Sequence, residues 1–184
     1  GGRPLDPRLE AFLASGEKPV VFSLGSTAVR IAGDFYKTAA EAARLGKRRA
    51  VLLAGDGVEA LGALPAGILA VPSAPYHVLF PRCAAIVHSG GIGTTAQALR
   101  AGVPQIVAPF AHDQYDNAAR IQRMGVGSRC RRTGTALELA ATLSRLLNDN
   151  EIKRQAAQAG AAIRAENGVR VACDAVERVL RAPR

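Results

Sequence analysis

Residues 87–97 read Val87-His88-Ser89-Gly90-Gly91-Ile92-Gly93-Thr94-Thr95-Ala96-Gln97. An apolar run precedes the glycines and residues at helical spacing follow them, so the pattern predicts a glycine-rich turn between a strand at 84–88 and a helix at 94–101. Glycine allows positive φ and close approach of a ligand, and the first turn of a helix offers unpaired N–H groups with a partial positive charge. The stretch therefore predicts a phosphate-binding turn, with a tight turn that needs glycine only for its geometry as the alternative.

Strand-like and helix-like segments alternate on both sides of this turn. A short helix is predicted from Pro7, after the N-cap Asp6. Because the strands are apolar throughout rather than at every second residue, they predict a parallel sheet with helices on both faces, which is a doubly wound α/β domain. The further strands are predicted at 19–24, 49–54, 68–71 and 105–109, with a weaker one at 128–131, and the further helices at 33–45, 76–82, 114–124 and 136–148.

The end of the chain follows another pattern. From residue 150 onward there are two helical stretches, 150–166 and 169–181, with no strand between them. Residues 1–184 are therefore predicted to form a single domain with a helical C-terminal extension over 150–184. The chain starts at Gly1 without a methionine or a targeting segment, which indicates a piece of a longer protein.

The composition excludes several classes of protein. Of the 184 residues, 48% are hydrophobic and 21% are charged, as in a folded domain, and no apolar run approaches the ~20 residues of a membrane span. The cysteines, Cys83, Cys130 and Cys173, lack the spacing of a zinc site or a disulfide framework and favour a reducing cytoplasm. The net charge of +9 favours anionic partners, but the aromatic content of 4% and the dispersed basic residues argue against nucleic acid.

Several kinds of phosphate site can use a glycine-rich turn. The spacing Gly91-x-Gly93-x-x-Ala96 fits a loose dinucleotide fingerprint, but that fingerprint follows the first strand of its unit, whereas here at least three predicted strands come first. A Walker-type loop is excluded because no Gly-Lys-Ser/Thr occurs. There is also no Asp-x-Asp pair, so no metal site is predicted by that motif.

A second polar cluster, His112-Asp113-Gln114-Tyr115-Asp116-Asn117, follows a predicted strand and opens a helix. Asp113 beside Gln114 offers carboxylate and amide acceptors and an amide donor at the carboxyl end of a parallel strand. That combination suits the vicinal hydroxyls of a sugar. The alternative, that Asp113 caps the following helix, is compatible with this interpretation.

Several motifs occur along the chain in a fixed order: Leu24-Gly25-Ser26, Ala74-Pro75-Tyr76, Leu79-Phe80-Pro81-Arg82, His88 to Thr95, Ala101-Gly102-Val103-Pro104-Gln105 and Asp113-Gln114. In this order and spacing they resemble the C-terminal half of bacterial members of the UDP-glycosyltransferase superfamily of fold type GT-B. The resemblance covers almost the whole chain, and the step from Ser89 to Asp113 fits the family signature without a gap. It implies a Rossmann-like domain that binds a nucleotide sugar.

The resemblance also implies roles for single residues. Ser26 and the turn would hold the diphosphate, Asp113 and Gln114 the sugar, and the backbone around Tyr76 would face the base. Ser73, Ser89 and Gln97 stand where many members carry a stacking aromatic, a phosphate-contacting histidine and a ribose-binding glutamate, and His88 is a candidate replacement for that histidine. The implied donor site comprises Gly25, Ser26, Tyr76, His88, Ser89, Gly90, Gly91, Gly93, Thr94, Gln97, Asp113 and Gln114.

By resemblance, the reaction is metal-independent transfer of a hexose, with inversion, from a UDP- or dTDP-sugar to an acceptor hydroxyl. The catalytic base and the acceptor site would lie in an N-terminal domain of the same protein, so no catalytic residue is assigned here, no cofactor is expected, and the chain alone is expected to be inactive. The excess of Arg and Lys allows peripheral contact with an anionic membrane. Two alternatives stay open: a separate donor-binding subunit of a two-chain transferase, and a nicotinamide-dependent Rossmann oxidoreductase.

Overall fold

The computed structural model describes residues 4–181, apart from the side chain of Thr27. Its strands are β1 (Val20–Ser23), β2 (Ala50–Leu53), β3 (Ile68–Val71), β4 (Ala85–His88), β5 (Gln105–Val107) and β6 (Gly127–Arg129). They form a six-stranded, fully parallel sheet in the order β3-β2-β1-β4-β5-β6. The predicted doubly wound, Rossmann-like α/β fold is therefore confirmed.

Helices cover both faces of this sheet. They are α1 (Pro7–Ala14), α2 (Gly25–Ala28), α3 (Phe35–Leu45), α4 (Tyr76–Leu79), α5 (Ile92–Ala101), α6 (Gln114–Arg123), α7 (Ala136–Asn148), α8 (Asn150–Ala165) and α9 (Gly168–Arg181). Phe22 and Leu52 pack on one face against α3 and α7, whereas Val21 and Ile86 pack on the other face against α1, α4 and α5. Since both sides of each central strand are covered, its residues are apolar without alternation.

The strand order reverses between β1 and β4. From β1 the chain adds β2 and β3 on one side, and it then returns to place β4 on the other side of β1. In this class of sheet a crevice opens at the carboxyl ends of the two strands where the order reverses. The residues after β1, Leu24 to Ser26, therefore lie beside the residues after β4, Ser89 to Gly91.

The sequence prediction differs from the structure at two places near this crevice. The helix predicted over 76–82 is α4 followed by a 3-10 turn over Phe80–Arg82, because Pro81 lacks the N–H that an α-helical hydrogen bond needs. The four-residue α2 directly after β1 was not predicted. Its residues are Gly, Ser, Thr and Ala, which show no apolar periodicity.

The two C-terminal helices differ in their packing. In α8, a Cβ added at Gly160 would lie 2.6 Å from the Cα of Gly102, so the helix backbone directly approaches the end of α5. In α9, by contrast, every residue is exposed. Between residues 4 and 181 no helix combines the length and the apolar character needed to cross a membrane.

Tyr36 of α3 joins the ends of β1 and β2 beneath the crevice. Its hydroxyl donates to the carbonyl of Leu53 at 2.6 Å and accepts from the N–H of Leu24 at 3.3 Å. Burial raises the pKa of Tyr36 to about 12, so the phenol stays neutral and keeps its proton for Leu53. One side chain thus satisfies two buried backbone groups.

We expect Tyr36→Phe to lower the free energy of unfolding by about 1–3 kcal/mol, because it leaves the Leu53 carbonyl and the Leu24 N–H unpaired. Urea denaturation measures the change. Tyr115→Phe is the matched control, since the exposed hydroxyl of Tyr115 makes no hydrogen bond with the residues that the structure describes. Equal effects of the two substitutions would contradict the prediction.

Candidate functional site

Two loops meet at the crevice between β1 and β4. The Ser89 hydroxyl donates to the carbonyl of Leu24 at 2.9 Å, and both residues are buried. On the other side of the same contact, a Cβ added at Gly25 would lie 3.4 Å from Oγ1 of Thr94. Gly25 has a φ of +73°, which glycine adopts without strain, so the chain can turn sharply after β1 where it lies against the start of α5.

The N-terminus of α5 opens into this crevice. Gly91 is its N-cap and supplies no side-chain cap. The N–H of Thr95 donates to the Gly91 carbonyl at 3.0 Å, but the N–H groups of Ile92, Gly93 and Thr94 have no acceptor among residues 4–181. These N–H groups, at the positive end of the helix dipole, form a site that suits a phosphate.

The glycines of the turn are there for different reasons. Gly90 has a φ of +92°, and a Cβ added there would lie 2.6 Å from Cγ1 of Val107, so the fold itself requires glycine. Gly91 and Gly93 have no positive φ, and an added Cβ would meet nothing within 4 Å. Their lack of a side chain serves neither backbone geometry nor packing within the described chain. It leaves open space at the start of α5.

His88 lies below the turn and is fully buried. Its Nδ1 accepts from the N–H of Gly90 at 3.0 Å, so the proton is on Nε2, which donates to Oε1 of Gln105 at 2.8 Å. Burial lowers the pKa of His88 to about 4, against the opposing effect of the Gln105 hydrogen bond. In this geometry neither ring nitrogen is free, which argues against His88 as a replacement for a phosphate-contacting histidine. His88 positions the turn instead.

Ser89, another residue of the implied donor site, also has a partner within the protein. Its hydroxyl donates to the carbonyl of Leu24, and only 2% of the residue is exposed. The hydroxyl joins the two loops of the crevice. The donors that remain for an anion at the turn are the backbone N–H groups at the start of α5.

The acid–amide pair lies at the start of α6. Oε1 of Gln114 accepts from the N–H groups of Phe110 and Ala111 at 2.7 and 3.1 Å, which leaves its NH₂ group without a partner among the described residues. Asp113 occupies the N-cap position, but its carboxylate makes no capping hydrogen bond. Asp113 is exposed, so its carboxylate remains accessible to a ligand.

Asn117 connects this pair to the glycine turn. Its Nδ2 donates to the Gly90 carbonyl at 2.8 Å and to Oδ2 of Asp113 at 2.9 Å. The two predicted clusters thus lie on the same side of the molecule, one hydrogen-bonded residue apart. Asn117 belongs to the second polar cluster, but its sequence context predicted no role for it. Its position four residues after Asp113, on the same helix face, was the available signal.

Arginines flank the loop that carries Asp113. The guanidinium carbon of Arg132 lies 5.0 Å from the ring centroid of Phe110, and that of Arg129 lies 5.2 Å from the ring centroid of Tyr115. Such cation–π contacts are worth ~0.5–1 kcal/mol at exposed sites. They account for part of the basic excess without involving a ligand.

A cavity of about 340 Å³ lies beside Tyr76, the residue that the resemblance places near the base of the nucleotide. Tyr76 forms part of its wall, with its hydroxyl 2.6 Å from Oγ of Ser23 and its ring stacked on Phe80 at 4.4 Å. Gln97 is exposed one turn after Gly93 on α5, outside this lining. The cavity is lined by Ser23, Gly25, Ser26, Val29, Leu53, Gly55, Pro72, Ser73, Ala74 and Tyr76.

A separate cavity of about 520 Å³ lies between α3, β6 and α7, and none of the predicted site residues lines it. Its walls carry Arg129, Arg131, Arg132 and Arg145. Between residues 4 and 181 no three His, Cys, Asp or Glu side chains form a group that could hold a metal ion.

Comparison with known proteins gives a consistent family assignment. Residues 37–176 match the family described as "Erythromycin biosynthesis protein CIII-like, C-terminal domain". O-mycaminosyltylonolide 6-deoxyallosyltransferase of Streptomyces fradiae is 47% identical over 182 residues, which cover 96% of this chain and 42% of that protein. The chain thus spans less than half the length of this curated relative.

Solved structures resemble the chain over most of its length. The glycosyltransferase of kitacinnamycin superimposes with a TM-score of 0.81 at 30% identity, covering 90% of this chain and 43% of that chain. The glycosyltransferase VinC, solved in complex with dTDP, has a TM-score of 0.74 at 29% identity and covers 90% of this chain and 41% of that chain.

The buried His88 predicts a pH dependence of stability. Its pKa is about 4 when folded and 6.5 when free, so the unfolded state takes up the proton first as the pH falls. The contribution of His88 is therefore complete above about pH 6.5 and is lost between 6.5 and 4, by roughly 3 kcal/mol in total. Denaturation across this range should give a flatter profile for His88→Gln than for the wild type.

His77→Gln is the control for that measurement, because it removes an exposed histidine and leaves the buried ring in place. Its profile should follow that of the wild type. In parallel, ¹⁵N NMR of the wild type should show His88 as the Nε2–H tautomer at pH 6. A His88→Gln profile parallel to the wild type, or a His88 ring that titrates near 6.5, would contradict the assignment.

Proposed function

The chain belongs to the family of erythromycin biosynthesis protein CIII-like C-terminal domains, which form the C-terminal part of glycosyltransferases, and we propose that its crevice binds the nucleotide-sugar donor. The observation that carries this proposal is the pair of hydrogen bonds from Asn117 to Gly90 and Asp113. They hold a site for a phosphate and a site for hydroxyl groups side by side. A nucleoside diphosphate sugar presents these two groups in succession.

The diphosphate binds at the N-terminus of α5. The N–H groups of Ile92, Gly93 and Thr94 donate to its oxygens, and the exposed Ser26 adds a hydroxyl from the facing loop. The open space at Gly91 and Gly93 lets the phosphate approach the backbone. These donors also stabilise the negative charge that develops on the departing diphosphate, without calling on a metal ion.

The sugar and the base lie on either side of the diphosphate. The free NH₂ group of Gln114 and the carboxylate of Asp113 bind sugar hydroxyls and orient the anomeric carbon. The cavity beside Tyr76 and Ser73 takes the base, and Gln97 binds the ribose. The dTDP bound to VinC supports a thymidine diphosphate donor, with UDP as the other candidate.

The acceptor and its base belong to the part of the longer protein that this chain does not include. A general base there removes the proton of the acceptor hydroxyl, whose oxygen attacks the anomeric carbon opposite the diphosphate, so that the configuration inverts. The chain covers 42% of its Streptomyces fradiae relative, which supports an acceptor domain in the same protein rather than a separate subunit.

The oxidoreductase alternative has less support. A dinucleotide fingerprint follows the first strand of its unit, whereas the glycine-rich turn here follows β4, on the far side of the reversal from β2 and β3. The family match also favours sugar transfer.

Titration of the chain with dTDP, UDP, dTDP-glucose and NAD by calorimetry tests the proposal. Three or four charge-assisted hydrogen bonds give roughly 5–12 kcal/mol, from which association subtracts ~4 kcal/mol or more, so at most about 8 kcal/mol remains and we expect dissociation constants of about 1 μM or weaker. Saturable binding of NAD with no response to any of the nucleoside diphosphates would overturn the proposal.

We also expect the chain alone to transfer no sugar to any acceptor, because the general base and the acceptor site lie outside it. Product formation from dTDP-glucose, followed by chromatography over hours, measures this. Buffer without protein is the control. Sustained turnover by the purified chain would place the base within these residues and contradict the division of roles.

Gly93→Ala should weaken nucleoside diphosphate binding about tenfold or more, because the new methyl group takes up open space at the helix start where the phosphate approaches N–H groups that each contribute ~1.5–3 kcal/mol to an anion. No atom other than the adjoining backbone of α5 lies within 4 Å of that methyl group, so the free energy of unfolding should stay the same or rise by up to about 1 kcal/mol.

Gly168→Ala is the matched control, since Gly168 also lies in the first turn of a helix with open space around it, on α9. It should leave binding unchanged. Calorimetry gives the affinity and urea denaturation gives the stability. Wild-type affinity in Gly93→Ala would mean that no phosphate approaches this turn.

A further inference from the structure

The backbone of Gly90 is held by hydrogen bonds on two sides. Its N–H donates to Nδ1 of the buried His88 at 3.0 Å, and its carbonyl accepts from Nδ2 of Asn117 at 2.8 Å. Gly90 also has a positive φ and lies against Val107 and the backbone of Gln114. The residue that sets the direction of the turn into α5 is thus fixed by a strand end on one side and by α6 on the other.

Asn117 uses both protons of one amide nitrogen. One proton goes to the Gly90 carbonyl, 27 residues away in sequence, and the other goes to Oδ2 of Asp113, one helical turn away. Only 7% of Asn117 is exposed, so both bonds lie in surroundings that water competes for poorly. Neither Asp nor Leu, which have a similar shape, carries two donors on one atom.

We propose that Asn117 is a positioning residue that couples the diphosphate-binding turn to the sugar-binding Asp113, a role that rests on the function proposed above. Asp113 is exposed and makes no capping hydrogen bond, so its bond to Asn117 is what restricts its rotamer. Through Asn117, the orientation of the carboxylate is set by the same backbone that sets the N–H groups of α5. The distance between the two subsites is therefore fixed before a donor binds.

The coupling has a consequence that a purely structural role lacks. A residue that only stabilised the body of α6 would, on removal, act on the two ligands as Ala118→Gly does. Loss of Asn117 disturbs the turn and frees Asp113 at the same time. It therefore weakens dTDP, which meets only the α5 N–H groups, and weakens dTDP-glucose, which also meets Asp113, by more. The ratio of the two dissociation constants therefore reports on Asn117.

The experiment is a double-mutant cycle with Asn117→Leu and Asp113→Ala, read by calorimetry with dTDP and dTDP-glucose. Asn117→Leu alone should reduce the preference for dTDP-glucose over dTDP about fivefold or more. In the Asp113→Ala background the same substitution should leave that preference unchanged. Ala118→Gly is the matched control, because it weakens α6 at the neighbouring buried position without removing a side-chain hydrogen bond.

A second measurement needs no ligand. In a chain that is otherwise wild type, Asp113→Ala should shift the ¹⁵N–¹H resonance of Gly90, because the side-chain amide of Asn117 donates to both residues. In Asn117→Ala, or in Asn117→Leu, that shift should disappear. Either variant serves if the other fails to fold, as judged by its thermal melt.

The outcomes separate this proposal from the proposed function. A wild-type chain that binds neither nucleotide overturns the donor site, and the positioning role with it. A wild-type chain that binds both, with Asn117→Leu weakening them equally or with a Gly90 resonance insensitive to Asp113, overturns the coupling alone. A selective loss for dTDP-glucose that vanishes in the Asp113→Ala background supports it.

Discussion

The geometry of the crevice depends on the hydrogen bonds to the backbone N–H and carbonyl groups of Gly90. A φ of +92° is open to glycine and strained for other residues. Gly90 keeps that conformation because His88 accepts from its N–H and Asn117 donates to its carbonyl. Both partners are buried, so a broken bond would leave a buried backbone group unpaired. The direction of α5, and with it the free N–H groups at its start, follows from this constraint.

Around that turn, the polar side chains bind the protein's own backbone, and backbone groups are left open for a ligand. The imidazole of His88 and the hydroxyl of Ser89 are familiar ligands for an anion, yet here they bind the protein's own backbone. The groups that remain open are backbone N–H donors. A backbone held by buried side chains is preorganised, and it loses little conformational freedom when a ligand binds.

The fold was predictable because buried strands and helices have characteristic patterns of apolar residues. The apolar strands, the helix spacing and the late change to an all-helical pattern correctly predicted the six-stranded parallel sheet and the two terminal helices. The failures were local. Pro81 ended α4 early, and the small residues of α2 gave no periodic signal. The sequence predicted that the glycine turn and Asp113 each follow a strand, and the structure brings these two clusters together through Asn117.

The apolar pattern of the chain was enough to locate the six strands, the residues buried between two layers of helices, and the polar and glycine residues that follow the strands. Which atom of each polar residue already has a hydrogen-bond partner could be known only from the packed structure. Ser89 meets Leu24 across 65 residues and Asn117 meets Gly90 across 27. The physical reason is that hydrophobic periodicity is a local property of the chain, whereas a hydrogen bond depends on the positions of two atoms that only the packed sheet brings within 3 Å.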